Sequence, residues 1–77
     1  MRLDLFLKKT RIIKRRTVAA QMAKSGRIKK ESRPLKPGHE LKANDEIEIA
    51  FGNRVMRIRV TDTSTRPQYE ILSEIKL

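Results

Sequence analysis

The fifteen residues EIEIAFGNRVMRIRV admit few folds. Ile47, Ile49 and Phe51 alternate with Glu46, Glu48 and Ala50; after Gly52-Asn53, Met56, Ile58 and Val60 alternate with Arg57 and Arg59. A period of two sends one set of side chains to each face of a strand. A two-residue turn between two such runs closes an antiparallel hairpin. The hairpin therefore has one apolar face that something must cover. On its other face Glu46 and Glu48 can oppose Arg57 and Arg59, in pairs worth a few tenths of a kcal/mol each.

Cover comes from the first 26 residues, where the period changes to helical. Leu3, Phe6 and Leu7 fall at i, i+3 and i+4, while Arg2, Lys8, Lys9 and Arg11 lie largely off that face. Asp4 sits in the first turn, where its charge suits the helix dipole and where it can also orient an arginine. Ile12 and Ile13 break the rhythm and read as a tight connection anchored in the core. A second periodic run, TVAAQMAKSG, places Val18 and Met22 four apart with Ala19 and Ala23 beside them. The small alanines allow close helix packing, and Gly26 stops the helix because it accepts a left-handed backbone without steric cost.

Short strands follow at RIKK and RPLK around a Glu31-Ser32 turn, then a loop with turn chemistry at Pro37-Gly38 and Asn44-Asp45. Beyond the hairpin, TDTSTRPQ is a polar connector, and a last strand is expected over 69–72 with a frayed end after it. The expected class is α+β: one domain over 1–77, an N-terminal helical pair packed on a small, mainly antiparallel sheet. Leu3, Phe6, Leu7, Val18, Met22, Ile47, Ile49 and Ile58 are its expected core.

Charge is distributed as unevenly as period. The chain carries a net +10, yet residues 1–36 hold 13 Lys/Arg against 2 Asp/Glu and residues 37–77 hold 6 against 7. Such one-sided charge on a small domain points to a polyanionic partner. Its sharpest expression is RIIKRRTVAAQMAKSG, where Lys14, Arg15 and Arg16 precede a helix start. Free N–H groups make that position partly positive, so cations there are unfavourable unless an anion meets them. Arg15 and Arg16 form a phosphate seat, with forked donors that can grip two oxygens. Lys8, Lys9 and Arg11, then Arg27 and Lys29, extend it into a strip, and Arg2 stands at its margin.

The same residues exclude other classes. Without cysteine there is no disulfide or thiolate metal site. His39 is the single histidine and lies in a loop without a metal-ligand or catalytic constellation, and no glycine-rich phosphate loop occurs. No enzyme activity, metal or cofactor is therefore expected. The N-terminal apolar run is too short, and interrupted by Asp4, for a signal peptide, and no run suits a membrane span. Leu3, Phe6 and Leu7 are needed in the core, which leaves no apolar helix face for a membrane surface. A cytoplasmic protein is expected. The aromatics are Phe6, Phe51 and Tyr69, too few for a stacking platform, so the polyanion is expected to be folded RNA read through shape and phosphates.

RLDLFLKKTRIIKRRTVAAQMAKSGRI, followed by LKANDEIEI, resembles the RNA-binding domain first described in ribosomal protein S-four. Arg2-Leu3-Asp4 match its Arg-Leu-Asp start, Arg16 and Ala19 its second helix, and Gly26 that helix's end. Arg15 replaces a frequent Ser, Glu31-Ser32 an Asn-Gly turn, and Asn44-Asp45 a Gly-Asp. The resemblance covers 1–52 as motif core, with 53–77 completing the hairpin and adding a C-terminal strand. IIKRRTVA and the short length resemble a stand-alone subgroup that includes the fifteen-kilodalton heat-shock proteins and, closest, the P-site proteins of ribosome-associated quality control.

That resemblance implies a non-catalytic monomer on obstructed large ribosomal subunits. It implies contacts to large-subunit ribosomal RNA and P-site peptidyl-transfer RNA, and support of a partner factor that adds C-terminal alanine tails. The alternative within the same domain family is an RNA chaperone of ribosome assembly or heat shock.

Overall fold

In the computed structural model, which describes residues 1–77, two helices precede five strands. They are α1 (Leu3–Lys9), α2 (Arg16–Lys24), β1 (Ile28–Lys30), β2 (Arg33–Pro34), β3 (Glu46–Ala50), β4 (Arg54–Asp62) and β5 (Gln68–Lys76). All strand pairs are antiparallel, in the order β2-β1-β3-β4-β5. The helical pair covers one face of this sheet, which is the α+β arrangement the sequence implied.

The central hairpin keeps the expected register: Ile47 faces Ile58, Ile49 faces Met56, Glu46 faces Arg59 and Glu48 faces Arg57. Ile47, Ile49, Met56, Ile58 and Val60 are buried beneath the helices with Ile28 from β1. Neither Gly52 nor Asn53 takes a left-handed backbone, so their turn makes no use of glycine's extra freedom. The Glu31-Ser32 turn does the reverse. Its φ values are 52° and 65°, the geometry of a tight hairpin normally given to Asn-Gly. Two ordinary side chains hold it at a cost of about 1–2 kcal/mol each.

Helix α1 buries Leu3, Phe6 and Leu7. Its first N–H groups have no side-chain cap; the 36–41 loop reaches over instead, with Leu3 N–H donating to the His39 carbonyl (2.8 Å) and Asp4 N–H to that of Pro37 (3.1 Å). Leu35 and Leu41, flanking that loop, close the core from the side.

Three expectations are corrected. Val18 is 46% exposed, because α2 turns Ala19 and Ala23 to the core and the close contact leaves no room for a larger side chain. Met22 is only half-buried at the edge. The segment expected to fray after residue 72 instead continues β5 to Lys76, held along its length by β4.

Candidate nucleic-acid interface

Helix α2 begins with Arg15 as its cap residue in an extended conformation, without a side-chain cap bond and without an acid in its first turn. Compensation arrives from the other helix. Asp4, 4% exposed, accepts Arg2 Nε and Arg2 Nη2 at 3.3 Å and the Leu5 N–H at 2.8 Å, and pairs with Arg16 Nε at 3.4 Å. One buried carboxylate thus joins the first turns of both helices and aims two arginines. Burial pushes the Asp4 carboxyl up, but the Arg16 hydrogen bond, the Leu5 N–H and the charges of Arg16 and Arg2 outweigh burial and hold it below its ordinary value of 3.8.

The remaining cations here have no anion. Lys8 and Lys9 end α1, where positive charge suits the dipole. Thr10 closes the helix through its hydroxyl, which donates to the Phe6 carbonyl (2.8 Å), and Arg11 follows in a left-handed conformation (φ 62°). That backbone costs about 1–2 kcal/mol in a non-glycine residue. Lys8, Lys9, Arg11 and Lys14 together line an open hollow of about 530 Å³ with no other residue in its wall. None of these four, nor Arg15, makes an ion pair with the protein. Buried Ile13 and half-buried Ile12 anchor the connection that carries Lys14 and Arg15.

Of the sequence-derived strip, the structure gathers Lys8, Lys9, Arg11 and Lys14, places Arg15 and Arg16 just beyond at the α2 start, and puts Arg2 beside Arg16 through Asp4. Arg27 lies beyond the end of α2, just before β1, by a shallow hollow with Val18, Gln21, Met22 and Ser25. Lys29 stands apart. It is on the outer face of the sheet, registered against Glu48, because its neighbour Ile28 takes the core side. Lys30 pairs with Asp45 at 2.9 Å and is thereby occupied. Sequence reasoning passed over Lys36, which joins Lys24 in the wall of another hollow between the α2 end and β2. The only signal for it was membership of the basic first half.

On the outer sheet face the arginines are paired with glutamates. Arg59 bonds both Glu70 and Glu46, and Arg57 lies 3.7 Å from Glu46. Glu48, also expected to pair, has no ion pair. None of the three aromatics forms an exposed platform: Phe6 is buried, Tyr69 packs on the core, and Phe51 lies half-buried under Arg54, 4.5 Å from its ring centre. Residues 1–47, which contain the Asp4-linked helices and the cation hollow, match the family model described as S4 domain.

The chain belongs to the S4 domain family. Two relatives extend the match over the whole chain. A Streptococcus pneumoniae protein named RQC P-site tRNA stabilizing factor is 45% identical, covering 100% of this chain and 96% of that protein. A Bacillus subtilis protein of the same name is 39% identical, covering 100% and 98%. Among solved structures, the trimeric Vibrio cholerae Heat Shock Protein 15 superposes with a TM-score of 0.84 at 21% identity, covering 95% of this chain and 82% of that one. It shows the same S4 architecture.

Two carboxylates of the S4 domain, Asp4 in α1 and Asp45 just before β3, set an acid limit. Asp4 and Asp45 both have lowered pKa values; burial raises the Asp45 carboxyl, but the Lys30 hydrogen bond, the Lys42 N–H and nearby charge outweigh it. A depressed folded pKa contributes stability that is complete above the unfolded value and disappears as pH falls through the folded one. The melting temperature should therefore hold above about pH 5 and drop once pH passes below about 4. Asp4→Asn should melt lower at neutral pH and show a shallower acid decline. An unchanged decline in both Asp4→Asn and Asp45→Asn contradicts this origin.

Proposed function

We propose that this chain is a non-catalytic RNA-binding adaptor of ribosome-associated quality control. It holds peptidyl-transfer RNA in the P site of an obstructed large subunit, bridging that RNA to large-subunit ribosomal RNA, and supports a partner factor that adds C-terminal alanine tails in the cytoplasm. The observation that carries this reading is the set of five cations, Lys8, Lys9, Arg11, Lys14 and Arg15, without an anion in the protein and flanked by the Asp4-positioned Arg16. Unpaired cations brought together on one face are what a phosphate-binding surface requires. The full-length relatives, named for stabilising P-site tRNA, support a transfer RNA at the ribosome as the ligand. Absence of aromatic platforms favours recognition of backbone and shape over base sequence.

Phosphate contacts release counterions, so affinity for large subunits should fall roughly 10³-fold or more between 50 and 200 mM salt for about six such contacts. Cosedimentation with purified large subunits, with and without P-site transfer RNA, measures it. Flat salt dependence contradicts the phosphate footprint. Equal affinity for vacant and tRNA-carrying subunits contradicts the P-site role and leaves a general RNA chaperone.

A further inference from the structure

Strand β5 forms one edge of the sheet, and it is neither short nor covered. Its outer half exposes Ile75 at 60% and Leu77 at 81%, beside half-buried Val55, the β4 partner of Ile75. An edge of this kind templates pairing with another strand unless charge, a bulge or a cover prevents it. A register shift does interrupt β5 opposite Arg57/Ile58, but residues 73–76 beyond it pair regularly with β4.

The backbone directions there are defined. The Leu77 N–H donates to the Asn53 carbonyl at 3.0 Å, so at Leu77 the peptide groups turn inward. Directions alternate along a strand, so Ile75 and Ser73 also face β4, while the N–H and C=O groups of Glu74 and Lys76 point to the open edge. Glu74 and Lys76 project from the same face, and Ile75 from the other.

We propose that a second copy of this chain docks on β5, antiparallel, with the two-fold axis at Ile75. In this register Glu74 of each copy lies opposite Lys76 of the other. Both are hydrogen-bonded positions, so the free N–H and C=O groups of all four residues are satisfied in two reciprocal pairs. Each pair also sets the Glu74 carboxylate, which lies 3.6 Å from Arg54 Nε of its own chain, against the partner's ammonium. Ile75 meets its own symmetry mate at a close, non-hydrogen-bonded position, with Ser73 opposite Leu77 beside it on the same face. Charges that would block a self-pairing edge are like charges facing each other; here the order Glu-Ile-Lys is complementary to its own reverse. Electrostatics on the larger scale permits the contact, because the second half of the chain is nearly neutral and the basic helices pack on each other and on β1 rather than on β5. The family resemblance implied a monomer; an ordered strand at the open edge of the sheet supports a second copy instead. The inference is independent of the RNA reading, which concerns the opposite layer.

Sedimentation equilibrium of the full chain from micromolar to near-millimolar concentration, at moderate salt to screen net repulsion, tests it. The wild type should form a reversible dimer. Glu74→Lys, which places lysine opposite lysine twice, should raise the dimer dissociation constant about tenfold or more. The double variant Glu74→Lys/Lys76→Glu, in which the order is reversed but still self-complementary, should recover wild-type dimerisation, which a merely damaged strand could not do. Ile75→Asp should be monomeric with an unchanged fold by circular dichroism. A wild type monomeric throughout overturns the proposal and leaves the edge to a different protein's strand. Dimerisation unaffected by Glu74→Lys, or not recovered in the double variant, overturns this register. Ribosomal cosedimentation of Glu74→Lys should match wild type.

Discussion

Phe6→Ala is expected to unfold a large part of the population at physiological temperature. Phe6 is fully buried where α1 meets the sheet, surrounded by Leu3, Leu7 and the hairpin isoleucines. Truncating a buried phenylalanine removes its transfer free energy and leaves a cavity, together about 3–5 kcal/mol. Typical stability per residue gives a chain of 77 residues only about 4–12 kcal/mol in total. The short helix has no other large anchor than Leu3 and Leu7, so the surroundings cannot collapse far into the gap. Urea titration should show a much lower midpoint with an unchanged slope, or no native baseline at all. Val18→Ala, at an exposed position on α2, should stay within about 0.5 kcal/mol of wild type. Equal midpoints for Phe6→Ala and wild type refute the packing described here.

Arg16→Ala should weaken association with large ribosomal subunits roughly 10–100-fold. A charge-assisted hydrogen bond to phosphate is worth about 1.5–3 kcal/mol, and about 1.4 kcal/mol is a decade in affinity. Folding should suffer little. Arg16 is nearly half exposed, and Asp4 retains Arg2 and the Leu5 N–H, so the lost pair is worth about 1 kcal/mol or less. Asp4→Asn should also weaken association, and the double variant should lose less than the sum, because the carboxylate acts through the arginine it aims. Arg57→Ala is the contrast: its guanidinium already faces Glu46 on the outer sheet face, and association should stay near wild type. Cosedimentation at fixed salt, with melting curves alongside, separates these effects. If Arg57→Ala loses binding and Arg16→Ala does not, the RNA face is the sheet.

The two arginines illustrate how far a pattern reaches. Arg57 alternates with buried residues on a strand, so its position on the outer face followed from period alone, and the hairpin register followed from the turn. The basic first half and the cations before α2 are equally plain in the chain, and they imply an anion-binding helical pair. What α2 lacked locally was an acid in its first turn, and no local rule could supply one. Asp4 lies twelve positions earlier, on another helix, and only the packing of α1 beside α2 brings its carboxylate to Arg16.

Local periodicity by itself determined the elements, their amphipathic faces and the α+β class, because each depends on neighbours within a few residues, and the uneven charge implied a polyanionic partner. Tertiary structure decided the rest. The closeness of the two helices chose Ala19 and Ala23 for the interior and left Val18 outside, although all three fit a helical face. Register placed Lys29 on the outer face of the sheet, opposite Glu48, because one strand position separates it from Ile28 and a single step reverses the face. Pairing with β4 ordered the strand beyond Leu72, where an isolated segment has no hydrogen-bond partner to offset the entropy of holding it straight. In each case the deciding contact joins residues distant in the chain, and its energy exists only once the fold has brought them together.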